Sequence, residues 1–76
     1  AKAPFDLIFA NILKGPLVAL APDMAEALAP QGKAILSGIL NEQADDVIAV
    51  YAQSGINLLH REMIGDWTTL TVQKMP

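Results

Sequence analysis

The first strong pattern in the chain is an apolar run, Phe5-Asp6-Leu7-Ile8-Phe9-Ala10, that stops at Asn11. Its core, Leu7-Ile8-Phe9-Ala10, does not alternate, so it reads as a strand of a parallel sheet, buried on both faces. Beyond Gly15-Pro16, Leu17, Leu20, Ala21, Met24 and Leu28 recur at helical spacing and form one apolar face. Pro16 suits the first helical position, where its missing N–H has no partner to lose. Pro22 interrupts the pattern by removing a backbone donor. That predicts a kink, or two short helices with Asp23 in the first turn of the second. Ala29-Pro30-Gln31-Gly32 reads as a turn.

Residues 33–38, Lys-Ala-Ile-Leu-Ser-Gly, repeat the unalternating strand pattern. Asn41 is a suitable N-cap for the helix that follows, and Glu42 complements its positive end. Ala44, Val47, Ile48 and Tyr51 supply that helix's apolar face, with Asp45, Asp46 and Gln53 on its wet side and Gly55 as the stop. Residues 56–64 and 67–74 are two strand-like runs joined by Gly65-Asp66, a two-residue Gly-X loop that predicts a type II′ hairpin. The element order is β-α-β-α-β-β. Two helical crossovers imply parallel strands, and the hairpin adds an antiparallel pair. No segment obviously covers the outer edge of the first strand, and bare edges invite pairing with another chain, so self-association through it is expected.

Composition sharpens this picture. The 76 residues suffice for one small domain, and 53% of them are hydrophobic. A domain of this size buries only about 60–65% of its unfolded surface, so such an apolar content suggests contacts with protein outside the chain. The chain has no Met at its start and enters a strand within a few residues, as a piece of a longer protein would. Cysteine is absent, which excludes disulfides, thiolate metal sites and a cysteine nucleophile and is compatible with the cytoplasm. The net charge of −3 comes with five scattered basic residues, which gives no electrostatic footprint for nucleic acid. Apolar stretches are too short and too often broken to span a bilayer, and the leading Ala-Lys-Ala-Pro-Phe-Asp lacks the apolar core of a signal peptide.

Asn11 is the sharpest candidate for chemistry. Open α/β sheets bind ligands at the carboxyl ends of their strands, and Asn11 ends one. By residue type alone it serves equally as a site residue or as a turn residue.

Two blocks at a characteristic separation carry a resemblance that covers nearly the whole chain. Asn11-Ile12-Leu13 with Gly15-Pro16-Leu17, then Leu36-Ser37-Gly38-Ile39-Leu40 followed by an acidic helix and Tyr51, are similar to the ribosomal protein L11 methyltransferase (PrmA) family. The resemblance implies an α/β fold, the C-terminal half of a Rossmann-like class I methyltransferase sheet. Residues 1–76 would be a partial methyltransferase domain, about the last quarter of the enzyme. The glycine-rich cofactor loop, the acidic residue that holds the cofactor's ribose and the substrate-recognition domain would lie upstream. The implied cofactor is S-adenosyl-L-methionine. The implied reaction methylates lysine side chains and the N-terminal amine of a ribosomal protein, and the segment alone is expected to be inactive.

On that resemblance Asn11 takes the site role. Its amide offers an acceptor and two donors to orient the amine and the amino-acid part of the cofactor. Related amino methyltransferases have an Asn or Asp followed by prolines there, where this chain has Ile12-Leu13. Ile12 and Leu13 are candidates for the pocket wall, with backbone carbonyls facing the amine, or for ordinary loop packing. Ser37 and Gly38 are candidates for contact at the substrate channel, although a small pair permitting close strand–loop packing is the favoured account. His60 has no triad around it, and Glu62 two residues on suggests a solvated face. Asp45 and Asp46 point in different directions on a helix and read as surface charge, not as a metal pair. Trp67 reads by default as packing on the final helix, with gating of the substrate channel as the other role. The methionines read as core or terminus. Two rival functions remain: a same-fold methyltransferase acting on a small-molecule nitrogen, and a non-catalytic α/β interaction module.

Overall fold

The computed structural model describes residues 4–75, so the leading Ala1, Lys2 and Ala3 of the stretch read for signal-peptide character lie outside the described residues. The elements follow the expected order: β1 (Phe5–Asn11), α1 (Lys14–Ala19), α2 (Ala21–Ala27), β2 (Leu28–Leu40), a 3-10 turn (Asn41–Gln43), α3 (Ala44–Gln53), β3 (Ile56–Ile64) and β4 (Trp67–Lys74). Pro22 divides the first helical stretch as expected, with Leu20 between α1 and α2 and Asp23 in the first turn of α2. Pro16 is corrected: α1 starts at Lys14, which makes Pro16 its third residue. The site is still harmless, because the first four N–H groups of a helix have no internal partner.

The four strands form one sheet in the order β1-β2-β4-β3. β1 and β2 are parallel, while β4 is antiparallel to both β2 and β3. β2 and β3 therefore run in the same direction, as the α3 crossover requires, but the hairpin folds β4 between them. The hairpin loop is Gly65-Asp66, with Ile64 opposite Trp67 and Gly65 at φ 59°, as a type II′ turn demands of its first residue. The turn expected at 29–32 is absorbed into β2. Between the pairs Phe5–Leu28 and Leu7–Lys33 the chain of β2 loops outward, with Gln31 at φ 66°. The end of β4 holds the loop in place: the Gln73 amide donates to the Gln31 carbonyl at 2.9 Å, and the Lys74 ammonium donates to the Leu28 carbonyl at 3.0 Å.

All three helices contribute to one core on one side of the sheet. Leu17, Ala21 and Met24 meet Ala44, Val47 and Tyr51 over Ala34, Leu36, Leu70 and Val72. This corrects the expectation that β1 is covered on both faces. Ile8 and Ala10 pack against the core, whereas Leu7 and Phe9, on the opposite face by strand alternation, are exposed. β1 lies at the sheet edge, as anticipated. Asp45 and Asp46 diverge as expected, Asp46 to Lys14 and Asp45 to Arg61, each at 2.8 Å. Such exposed pairs contribute about 0–1 kcal/mol each.

Asn41 is not a helix N-cap. It is the first residue of the 3-10 turn, and its side chain reaches the hairpin instead. The Leu40 N–H is satisfied by the Gln43 side-chain oxygen at 3.1 Å. Met63 is also corrected, because it is exposed on the hairpin and belongs neither to the core nor to a terminus.

Tyr51 joins α3 to α1. Its buried hydroxyl donates to the Leu17 carbonyl at 2.9 Å, one of the acceptors that the end of α1 leaves unpaired. Burial penalises the phenolate and raises the Tyr51 pKa to about 12. The unfolded chain ionises first as pH rises, so this group's contribution is complete below pH 10 and declines as pH approaches 12. Tyr51→Phe is expected to cost about 1–3 kcal/mol at neutral pH by leaving the carbonyl unpaired. Denaturant unfolding at several pH values checks both statements: the variant starts less stable and shows a shallower alkaline decline.

Candidate active site

β1 ends where the chain turns into α1, so its last side chain stands at the carboxyl rim of a parallel pair. Asn11 lies opposite Ser37 of β2. It does not serve the helix: the residue preceding α1 is Leu13, and no side chain caps that end. The Asn11 side chain is exposed and rests against Gly38, where a Cβ would come within 2.9 Å of Asn11 Oδ1 and 3.0 Å of the Ile12 carbonyl oxygen. Gly38 itself adopts φ 80°, a left-handed conformation that glycine takes without steric cost.

A β-bulge produces this close approach. Leu36 pairs with Leu70 and Ile39 with Thr68, so β2 advances three residues where β4 advances two. The extra residue falls at Ser37-Gly38, beside Asn11 and Ile12. Bulges of this type re-aim side chains at rims and next to active sites. The close-packing account of the small pair therefore fits Gly38, while Ser37 stays half-buried within the same rim.

Ile12 and Leu13 separate. Ile12 packs its side chain against the core, whereas Leu13 is 70% exposed beside the strand end. The Leu13 carbonyl is engaged by the Leu17 N–H at 3.0 Å, so of the two carbonyls expected to face an amine, the Ile12 carbonyl is the one at Gly38. The rim thus brings together Asn11, Ser37, Gly38 and the Ile12 backbone, with Leu13 as an exposed apolar neighbour. His60 and Glu62 are exposed on the edge strand β3, in agreement with a solvated face.

Trp67 does not pack on the final helix as its default reading held, because Thr68, Leu70 and Val72 take the helix-covered face of β4 and Trp67 the other. It is 52% exposed at the start of β4. The sequence signal for this was its position directly after the Gly65-Asp66 loop, which places it at a hairpin tip. Among the described residues, no group of three or more His, Cys, Asp or Glu side chains is arranged to hold a metal. The rim is built from a neutral amide, a hydroxyl, backbone and apolar surface. Such a set can hold and orient a polar nitrogen compound but cannot itself accept a proton at neutral pH.

The comparisons with known proteins bear on the family and the fold. Residues 1–75 match the sequence profile of the family described as ribosomal protein L11 methyltransferase (PrmA). The ribosomal protein L11 methyltransferase of Hydrogenovibrio crunogenus is 45% identical over 71 residues, which are 93% of this chain and 24% of that protein. The crystal structure of a ribosomal protein L11 methylase from Lactobacillus delbrueckii subsp. bulgaricus superposes with a TM-score of 0.91 at 29% identity, over 100% of this chain and 40% of that one. M1.HpyAVI in its complex with SAM gives a TM-score of 0.79 over 96% of this chain and 46% of that one; at 11% identity it shows a shared fold alone. The chain spans about a quarter of the length of the relative it matches in sequence.

Proposed function

Because the chain belongs to the ribosomal protein L11 methyltransferase family, we propose that it is the C-terminal part of an S-adenosyl-L-methionine-dependent N-methyltransferase domain. The protein that carries it methylates amino groups of a large-subunit ribosomal protein, namely lysine side chains and the N-terminal amine, in the cytoplasm. The glycine-rich cofactor loop and the substrate-recognition domain belong to the upstream part. One observation carries the reading: Asn11 stands at the carboxyl end of β1, over a bulge at Ser37-Gly38, and does not cap the following helix.

When bound, S-adenosyl-L-methionine would supply an electrophilic methyl carbon, to which the amine nitrogen would bond as the carbon–sulfur bond broke and sulfur kept the electron pair. Asn11 fits both partners of that exchange. Its amide oxygen would accept an N–H of the substrate amine and so fix the direction of the lone pair, while its NH₂ would donate to the cofactor's amino-acid part. The Ile12 carbonyl, beside the same glycine, offers a second acceptor for an amine N–H. Positioning of this kind accounts for about 7–11 kcal/mol of the barrier in ideal cases. The amide does not titrate, so the proton released by the methylated amine leaves to solvent. The exposed Leu7 and Phe9 face and the bare β1 edge are covered by upstream protein in this reading. Produced alone, the segment is inactive and self-associates through that edge.

Mass spectrometry of the ribosomal protein after incubation with the full-length protein and S-adenosyl-L-methionine tests the proposal. Mass gains in whole methyl groups on lysine or the N-terminal amine support it. Methylation of a small-molecule nitrogen alone, or no transfer at all, overturns it.

A further inference from the structure

We infer that Trp67 is a substrate-contact residue, the aromatic wall against which the methylated lysine lies; the inference rests on the amine-methyltransferase reading and adds a specificity residue to it. Three observations converge. The first is placement. Trp67 opens β4 opposite Leu40 of β2, at the sheet end where Asn11 meets Ser37. Thr68, Leu70 and Val72 are buried under the helices, so alternation turns Trp67 to the opposite face, which is also the face of Leu7, Phe9 and Asn11.

The second is its combination of exposure and fixity. Trp67 is 52% exposed, and its cross-strand neighbour Ile64 is 70% exposed. Yet the residues on both sides are clamped to Asn41. The Asn41 N–H donates to the Asp66 carbonyl at 3.0 Å, and Asn41 Nδ2 donates to the Gly65 carbonyl at 2.9 Å. Thr68 Oγ1, on a residue only 1% exposed, donates to Asn41 Oδ1 at 2.7 Å. The largest side chain of the hairpin is thus held in the open by a rigid support, as a contact surface requires.

The third is reach. Leu40 lies three residues beyond Ser37 on β2, so strand rise and spacing put the Asn11 and Trp67 backbones roughly 14 Å apart. An indole and an extended lysyl chain together fill such a gap. With Asn11 orienting the nitrogen, the indole flanks the alkyl chain of the neutral amine and faces the ammonium that methyl transfer leaves, whose charge its π-system attracts. No hydrogen bond from Trp67 is lost as methyl groups accumulate.

Steady-state kinetics of the full-length enzyme, with Trp67→Leu and Trp67→Phe, tests this, since both replacements fill space. Trp67→Leu is expected to raise KM for the ribosomal protein about fivefold or more, and Trp67→Phe to stay within about twofold of the parent. S-adenosyl-L-methionine binding, followed by calorimetry, is expected to be unchanged in both. A KM for Trp67→Leu equal to the parent's overturns the proposal while leaving the methyltransferase reading intact. Equal loss in both variants, or loss of cofactor binding, also overturns it by assigning Trp67 a structural role. Failure of the parent enzyme to methylate amines sinks the reading beneath it.

Discussion

Asn11→Ala in the full-length protein is expected to reduce methyl transfer about 10²–10³-fold with little change in stability, the loss seen when one oriented donor or acceptor is removed from a reacting centre. The side chain is exposed, caps no helix and lies on the core-free face of the sheet, so its removal opens no cavity. What disappears, on the proposed reading, is the amide that fixes the amine's direction. Asn11→Asp separates geometry from charge: it keeps the acceptor and the size but loses the donor pair, and is expected to retain more activity than alanine. Initial rates at saturating cofactor, together with thermal unfolding of each variant, check the expectation. A stable Asn11→Ala protein with parental rates would return Asn11 to the role of a turn residue.

Gly38→Ala carries the second large effect, and Gly55→Ala is its control. Both glycines sit at φ 80°, so alanine is strained at either site and costs about 1–2 kcal/mol. Their surroundings differ. A Cβ at Gly55 meets nothing within 4 Å, whereas one at Gly38 falls 2.9 Å from Asn11 Oδ1 and 3.0 Å from the Ile12 carbonyl oxygen. The Asn11 side chain yields more readily than backbone, so the added methyl displaces the amide from the rim. Displacement of about 1 Å at a reacting centre costs about 10²-fold in rate. Gly38→Ala is therefore expected to lose both stability and activity, and Gly55→Ala stability alone. Equal activities in the two variants would detach the bulge from the chemistry.

Local patterns in the sequence were enough to locate elements whose causes are local. Leu17, Leu20, Ala21 and Met24 mark the first helical face, Pro22 divides it, and Gly65-Asp66 sets the hairpin register so that both of its strands have the anticipated limits. Features decided by distant partners were hidden. The insertion of β4 between β2 and β3 depends on pairing across the sheet, which periodicity along the chain does not encode. Asn41 has the composition of an N-cap, but Thr68 and Gly65, 27 and 24 residues away, compete successfully for its amide. Leu7 and Phe9 are apolar enough for a strand covered on both sides, yet the helices of the described residues cover one side. At the candidate site, the residue types that the structure brings together were readable as Asn11, Ser37 and Gly38. The bulge that presses Gly38 against Asn11, and the exposure of Trp67, became visible only in three dimensions.

The central claim is that the rim at the carboxyl ends of β1 and β2 holds the amine. A crystal structure of the full-length protein bound to a bisubstrate analogue, with a lysyl nitrogen tethered to the S-adenosyl group, tests it most directly. The account predicts the analogue's nitrogen within hydrogen-bonding distance of the Asn11 amide, above the Ser37-Gly38 bulge, with the lysyl chain leading toward Trp67. A nitrogen bound at the opposite end of the strands, or on the helix-covered face away from Asn11, would contradict it.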